Sequence, residues 1–303
     1  MIIVRILWTL LLAASQILAF EYDLTLSKVN DSTYCFFGKP EAMNTHNNGN
    51  MSNSCFVNMG TSYLVIDSGP TYFYAKQAYQ TIKKIKDLPI SYVINTHTHD
   101  DHWLGNSYYK ELGISIIGSK EFKNEAKLEM TRMQKNISKE AYAKTKQIFP
   151  NIFVDKEKIL NLEGTKVYIK SVNKKAHTNS DLFIYIPEYS TIFAGDLVFN
   201  ERLPSLRDGN IDNWIEVLKS IRFMDVKYII GGHGDKVSKN SLDMTYKYLS
   251  ELKEKLTQAL ENGEDLENAV NNIKMKDFKD FKMYDTLQRQ NVETAYRTLE
   301  WEL

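Results

Sequence analysis

The chain has 303 residues, 43% hydrophobic and 25% charged, the balance of a soluble globular protein. Thirty-eight basic and 38 acidic side chains cancel to a formal net charge of zero, which excludes the strongly basic footprint of a nucleic-acid partner. Length alone fits one large domain or two small ones, and a chain this long buries most of its apolar surface without staples.

Met1 to Phe20 reads MIIVRILWTLLLAASQILAF. Arg5 supplies a short positive region, Ile6 to Ala14 an apolar core, and Ala19 a small residue at a cleavage point. That is the layout of a secretory signal peptide over residues 1–19. An uncleaved anchor is the alternative, but a spanning helix needs ~20 mostly apolar residues, and Ser15-Gln16 interrupts this run. No later segment is apolar enough to span a membrane. The expected location is therefore periplasmic or secreted, with residues 20–303 forming a single domain.

Cys35 and Cys55 are the only cysteines. In an oxidising compartment they pair or remain two buried thiols, and sequence does not decide the geometry. Neither has a histidine or basic neighbour, which argues against a catalytic thiol. Strands are predicted at Thr33 to Phe37, Cys55 to Met59 and Tyr63 to Ile66, with the polar, Asn-rich stretch Asn44 to Ser54 as a loop. Tyr72 to Lys86 reads as a helix with Ala75, Ala78, Tyr79, Ile82 and Ile85 on one side. The strand Ile90 to Ile94 then runs into Asn95-Thr96-His97. Strand, helix and strand in succession indicate α/β organisation. A short helix at Ser107 to Leu112 and a strand at Ile114 to Ile117 follow. Lys120 to Phe149, nearly free of Gly and Pro, predicts one or two surface helices. Further strands are expected at Lys166 to Val172, Leu182 to Ile186, Thr191 to Phe193 and Tyr228 to Ile230, with a helix at Trp214 to Phe223. From Leu242 onward the chain is helical in character and reads as packing and capping elements.

Five of the six histidines fall at or beyond strand ends. His97, His99 and His102 share the stretch His97-Thr98-His99-Asp100-Asp101-His102, His177 follows one predicted strand, and His233 follows another in Gly232-His233-Gly234. Asp196 ends the apolar run Phe193-Ala194-Gly195. Neutral imidazole and carboxylate are ligands for borderline cations. In a tight loop His97 and His99 can reach one ion while Asp101 and His102 point to a second. His177 and His233 can add one nitrogen each, and Asp196 is the candidate bridge. A lone histidine is usually structural, but chance does not readily place this whole set. His46, the sixth, reads as a solvated loop residue.

The pattern H-x-H-x-D-H, a later His, a Gly-Asp and a final Gly-His-Gly resembles the metallo-β-lactamase superfamily, and Ile66-Asp67-Ser68-Gly69 matches its early strand-ending motif. The resemblance spans roughly Val57 to Asp235. It implies an αββα sandwich, two mixed sheets flanked by helices, with the metal site at one edge. It also implies that His97, His99 and His177 hold a first metal and Asp101, His102 and His233 a second, with Asp196 bridging. Asp67 would orient the ligand loop. Asn47 to Phe56, Ile94-Asn95-Thr96-His97 and Glu201-Arg202-Leu203-Pro204 with Asp208-Gly209 and Trp214 are similar to a periplasmic branch of quinoprotein-relay or sulfur-oxidation-associated zinc metallohydrolases.

The expected activity is hydrolysis of an ester, thioester, lactone or related small carbonyl substrate by a metal-bound hydroxide on two zinc ions, with Asp101 orienting the nucleophile. Cleavage of a β-lactam amide is one alternative. Asp196 stands where the zinc β-lactamases of one group carry a cysteine, and their substrate-binding lysine has no counterpart in Asp196-Leu197-Val198-Phe199. A mononuclear iron enzyme resembling the persulfide dioxygenases is the other alternative.

Overall fold

The computed structural model describes residues 20–126 and 131–302, so the expected signal peptide lies outside the described residues. The chain begins with β1 (Leu26–Lys28), β2 (Thr33–Phe36), β3 (Ser54–Asn58) and β4 (Tyr63–Ile66), paired antiparallel in sequence. Helix α1 (Tyr72–Lys83) crosses to β5 (Ile90–Ile94), parallel to β4. Two short helices, α2 (Asp100–Trp103) and α3 (Asn106–Glu111), lead to β6 (Ser115–Ser119). Three small helices follow, α4 (Phe122–Glu125), α5 (Arg132–Asn136) and α6 (Lys139–Tyr142), before β7 (Ile152–Val154) closes a seven-stranded sheet of order β1-β2-β3-β4-β5-β6-β7.

The second sheet takes β8 (Glu157–Leu162), β9 (Thr165–Ser171), β10 (Leu182–Ile186) and β11 (Thr191–Phe199) as antiparallel neighbours. After α7 (Ile211–Arg222), β12 (Tyr228–His233) joins it parallel to β11. Helices α8 (Asp243–Glu261), α9 (Leu266–Asn272) and α10 (Tyr284–Glu302) complete the chain.

Period-two alternation decides which face each strand residue takes. Leu64, Ile66, Ile94 and Ile117 of one sheet meet Ile169, Ile184, Phe193 and Ile230 of the other in a common buried cluster. Their neighbours Val65, Val93 and Ile116 face outward onto Tyr74, Ala75, Ala78 and Ile82 of α1. On the far side Ile192, Ala194 and Ile229 pack under Trp214 and Leu218 of α7 and Leu249 and Leu252 of α8. The layers are helix, sheet, sheet, helix, two mixed sheets in all, as the resemblance implied. No helix among the described residues is long and apolar enough to cross a membrane.

Helix α1 starts where Thr71 accepts the Tyr74 N–H and stops three residues before the predicted Lys86. The segment 120–149 departs from the one or two surface helices expected. Its described part holds α4, α5 and α6, and Thr131 and Ser138 each restart a new turn as N-caps. Strands β1, β7 and β8 were not anticipated. β1 and β7 are three residues long, and β8, EKILNL, has no clean period of two, weak signals for a sheet edge.

The Asn-rich segment is a loop, but not a solvated one. Asn47, Asn48, Asn50, Ser52 and Asn53 are buried, while His46 is exposed. Cys35 and Cys55 sit directly opposite each other on β2 and β3 and form a disulfide at the base of this loop. Closing a loop of 20 residues contributes about 3 kcal/mol in the chain-entropy account.

Candidate metal centre

All seven residues singled out by the sequence meet where the two sheets share an edge. His97 and His99 leave the C-terminal end of β5, and His102 lies in α2 one turn on. His177 comes from the loop between β9 and β10, Asp196 from within β11, and His233 ends β12. His97, His99, His177 and Asp196 form one candidate metal-binding group, and Asp101, His102 and His233 a second, with the ligand-type atoms of each group within 4.8 Å of one another.

Asp196 lies between the groups. Its Oδ2 is 3.3 Å from His177 Nε2, 3.7 Å from His97 Nε2 and 3.3 Å from His233 Nε2, and its Oδ1 is 3.2 Å from His102 Nε2. The local backbone explains how a strand residue reaches so far. The β11/β12 register shifts around Gly195, which has φ +52° and leaves no room for a side chain: a β-carbon there would stand 2.6 Å from Thr96 Cβ. A β-carbon at Gly232 would collide with Asp196 Oδ1.

The outward nitrogens of His97, His99, His102 and His233 are held by the protein, while His177 Nδ1 is buried without a hydrogen bond among the described residues. His102 Nδ1 is 2.8 Å from Asp67 Oδ2, His233 Nδ1 is 2.6 Å from the Met51 carbonyl, and His99 Nε2 is 3.0 Å from Asp208 Oδ2. His97 Nδ1 lies 3.1 Å from Thr96 Oγ1, which itself donates to Asp67. Asp67 also accepts the Thr96 N–H at 2.8 Å, from a left-handed backbone at φ +56°. Asp181 gathers the His177 N–H, the Thr178 N–H and the Thr178 hydroxyl, which fixes the turn carrying His177. Such outer partners set ring orientation and tautomer and leave the other nitrogen as a lone pair.

Facing inward, His177 Nε2 and His99 Nδ1 lie 3.0 Å apart, and four other atoms have no hydrogen-bond partner. His97 Nε2, His102 Nε2, Asp101 Oδ2 and Asp196 Oδ1 are buried without a hydrogen bond among the described residues. Buried polar atoms without partners are rare and need a reason. Here the reason fits a cation: lone pairs of five imidazoles and two carboxylates converge on two positions, the donor set that borderline divalent metals take.

Charge tells the same story. Burial pushes the Asp196 carboxyl up, but His233, His102 and His97 outweigh it and hold the group well below the usual carboxylate range. Burial likewise raises Asp101, and His102, His233 and Arg132 bring it down to about 2. His97 is pushed well below an ordinary imidazole by burial and then by His102. Burial lowers His99 to about 4 despite its bond to Asp208. His102 goes the other way: burial would lower it, yet Asp196, Asp101 and Asp67 hold its proton well above the ordinary range. The polypeptide by itself thus draws positive charge to the point where three buried carboxylates converge.

The mouth is lined by residues the sequence reading did not assign. Arg132, from the segment read as surface helix, donates to Asp100 at 2.6 Å and to Asp101 at 3.2 Å. Arg207 bonds Asp208 at 2.7 Å. Arg202, Met51, Met283 and Leu287 complete much of a pocket of about 160 Å³. The helical tail is therefore more than a cap, because α10 forms part of the wall. The charge-dense run from Glu201 to Asp208, directly after the Asp196 strand, was the available signal.

The model of the metallo-beta-lactamase superfamily matches residues 47–233. A metallo-beta-lactamase type 2 from Elizabethkingia meningoseptica is 24% identical over 242 residues, 77% of this chain and 88% of the relative. One from Bacillus cereus is 21% identical over 61% of this chain and 67% of its own length. Among solved structures, a metallo-beta-lactamase from Pontibacter korlensis superposes with a TM-score of 0.59 at 17% identity, covering 75% of this chain and 99% of that one. A double mutant of the sec-alkyl sulfatase PisA1 superposes with a TM-score of 0.71 at 16% identity, over 91% of this chain and 50% of that one. The family match covers more than half of the sequence and carries every inward-facing histidine and carboxylate of the centre, so the chain belongs to the metallo-beta-lactamase superfamily.

Proposed function

We propose that the chain is an exported binuclear zinc hydrolase acting on a small ester, thioester or lactone. The observation that supports it is the convergence of seven ligand-type side chains, of which His97 Nε2, His102 Nε2, Asp101 Oδ2 and Asp196 Oδ1 are buried without a hydrogen bond among the described residues. His97, His99 and His177 would hold one ion, Asp101, His102 and His233 the other, and Asp196 both. Two such cations lower the pKa of a bound water toward ~7 and polarise the carbonyl under attack.

The chain's own groups supply the rest. Asp101 Oδ1 is tied to Arg132, while Oδ2 is buried without a hydrogen bond and faces the centre, so Asp101 would orient an attacking water. Asp67, Asp181 and Asp208 keep the histidines in register. Export rests on the reading of residues 1–19, and it places the enzyme in the periplasm or outside the cell.

Purification without added metal or chelator, followed by elemental mass spectrometry and steady-state rates on ester, thioester and lactone substrates, tests this. About two zinc ions per chain with turnover are expected. A single iron with no hydrolysis would replace the reading with an oxygenase one. The likeness to type 2 metallo-beta-lactamases over most of their length supports a second reading, cleavage of a β-lactam amide. Nitrocefin turnover exceeding that of every ester would favour it.

A further inference from the structure

Residues Met51 to Asn53 join two parts of the molecule. They lead directly into β3, whose second residue is Cys55, and they also reach the metal centre. The Met51 carbonyl is 2.6 Å from His233 Nδ1, and Ser52 Oγ donates to the Asp101 carbonyl at 2.6 Å. Asn53 N–H donates to the Gly232 carbonyl at 2.7 Å, and the Asn53 side-chain amide donates to the Gly231 and Gly234 carbonyls at 2.9 and 2.8 Å. Each of these bonds ends on Asp101, on His233 or on a glycine close to His233. None of them goes to His97, His99 or His177. The loop therefore steadies the second ligand group and not the first.

The loop is closed at its base by two hydrogen bonds between its arms. Gly38 N–H donates to Asn53 Oδ1 at 3.1 Å, and Lys39 N–H to the Asn50 carbonyl at 3.0 Å. The arms approach so closely that a β-carbon on Gly38 would stand 2.2 Å from the Met51 carbonyl carbon. Farther out, Asn48 accepts from the Tyr22 hydroxyl and from the Ser138 N–H. The covalent tie is the Cys35–Cys55 bond, one residue pair inside the strand end, where Phe36 faces Ser54. Strand pairs open from their ends. The cross-link confines that opening to the Phe36–Ser54 pair and keeps Met51 to Asn53 in register with His233 and Asp101.

Both cysteines are buried, at 0% and 2% exposure, in the cluster between the two sheets with Ile66, Ile94 and Ile230. Neither an oxidant nor a reductant reaches them once the sheets have closed. The bond is therefore set during folding. Two thiols lose two protons and two electrons to a disulfide oxidant, whose own S–S bond breaks to give two thiols as the Sγ–Sγ bond forms. An oxidising compartment supplies such an oxidant.

We infer that the Cys35–Cys55 bond gates the second ion. A chain that folds with both thiols reduced keeps the first group, His97, His99 and His177, in working order. It holds Asp101 and His233 of the second group too loosely for full affinity. The gate is set once, at folding, so a fully loaded centre marks a chain matured under oxidising conditions. The inference rests on the two-ion reading of the centre.

The test titrates zinc, in competition with a chelator, into oxidised wild type and C35A/C55A, both as the full mature chain. The variant should melt lower, because its unfolded chain is no longer cross-linked. Lost global stability alone weakens neither ion at temperatures where the chain is folded. The expected result is an unchanged first affinity and a second affinity weakened about tenfold or more, as for other lost outer partners. N53A, with the bond intact, should give the same selective loss, and N53A added to C35A/C55A should cost little more, since both act through one loop. If C35A/C55A does not fold, N53A decides alone. Wild-type affinity for both ions, or equal weakening of both, would overturn the inference while leaving the two-ion reading intact. An oxidised wild type that binds a single zinc would instead remove the two-ion reading, and the gate with it.

Discussion

The pocket has two halves built on different rules. On one side, the loops after β4, β5 and β9, the bulged β11 and the end of β12 hold every ligand-type histidine and aspartate, and Asp67, Thr96, Asp208, the Met51 carbonyl and, through the His177 backbone N–H, Asp181 hold that set from outside. On the other side, the loop after β11 and α10 present Arg202, which makes no ion pair among the described residues, with the Asp208-bound Arg207, the polar Ser205 and Gln290 and the apolar Leu287. The first half is over-determined, so its geometry stands ready before any ion arrives. The second is fixed only in its backbone, through Asn291 and Lys282, and leaves its side chains to meet a ligand. Damage to the first should cost metal and all activity together. Damage to the second should spare the metal and change what is bound.

The largest effect should come from Asp196→Ala, which removes the one carboxylate lying between both groups. Metal assistance supplies several kcal/mol, so at tenfold per 1.36 kcal/mol the loss in kcat/KM is on the order of a thousandfold. Elemental analysis should show both ions diminished, and full metal content with full activity would end the bridging assignment. Next comes Asp67→Asn, which weakens the acceptor for His102 and Thr96 without touching the centre directly. Outer partners of this kind are worth roughly 10–100-fold in metal affinity or activity. Competition with a zinc chelator measures it, and an unchanged affinity would mean that His102 is oriented by packing alone.

The contrast between the halves also marks what the sequence could reveal. His97, His99, Asp101 and His102 sit within six residues, Asp196 and His233 each end a recognisable apolar run, and His177 follows a predicted strand, so local pattern was enough. The sandwich was legible for the same reason, through strands such as Tyr63–Ile66 whose alternate residues face two different cores. Arg132, Arg202 and Arg207 were not legible, because an arginine in a polar loop looks solvated until a distant helix closes over it. Met283 and Leu287 come from a tail more than 80 residues beyond Asp196, and nothing in their spacing points to the pocket. The Asn-rich stretch was legible as a loop but not as a buried one, in which Asn53 is satisfied by the Gly231 and Gly234 carbonyls beside His233.

Asn291→Ala probes the second half. It strips the Pro204 carbonyl and the Leu206 N–H of their buried partner, at about 1–3 kcal/mol of stability. Thermal melting should register that loss while zinc content stays at the wild-type level. A variant that lost zinc in proportion to stability would show that the halves are one cooperative unit, not two.

The smallest effect concerns protons in the chelated protein. His97 and His99 are held below the ordinary imidazole value, chiefly by burial, His99 to about 4. Between pH ~6.5, where an unfolded histidine titrates, and pH 4, the unfolded chain therefore binds protons that the folded chain refuses. Stability falls as pH falls through that window. His102 opposes this only slightly, near pH ~6.5, where the unfolded imidazole takes up a proton that the folded chain already holds. Asp101 and Asp196 titrate below it. Asp181 opposes the trend, because burial raises it to about 6 and its protonation favours the folded state. Two imidazoles act against one carboxyl, so the net result is a modest drop in melting temperature from pH 6.5 to 4.5. In the second half, Asp208 is held well below the window by His99 and Arg207 and contributes nothing. A melting temperature that stayed level or rose on acidification would mean that the ligand half is not held as neutral imidazole, and the contrast in preorganisation between the two halves would fail with it.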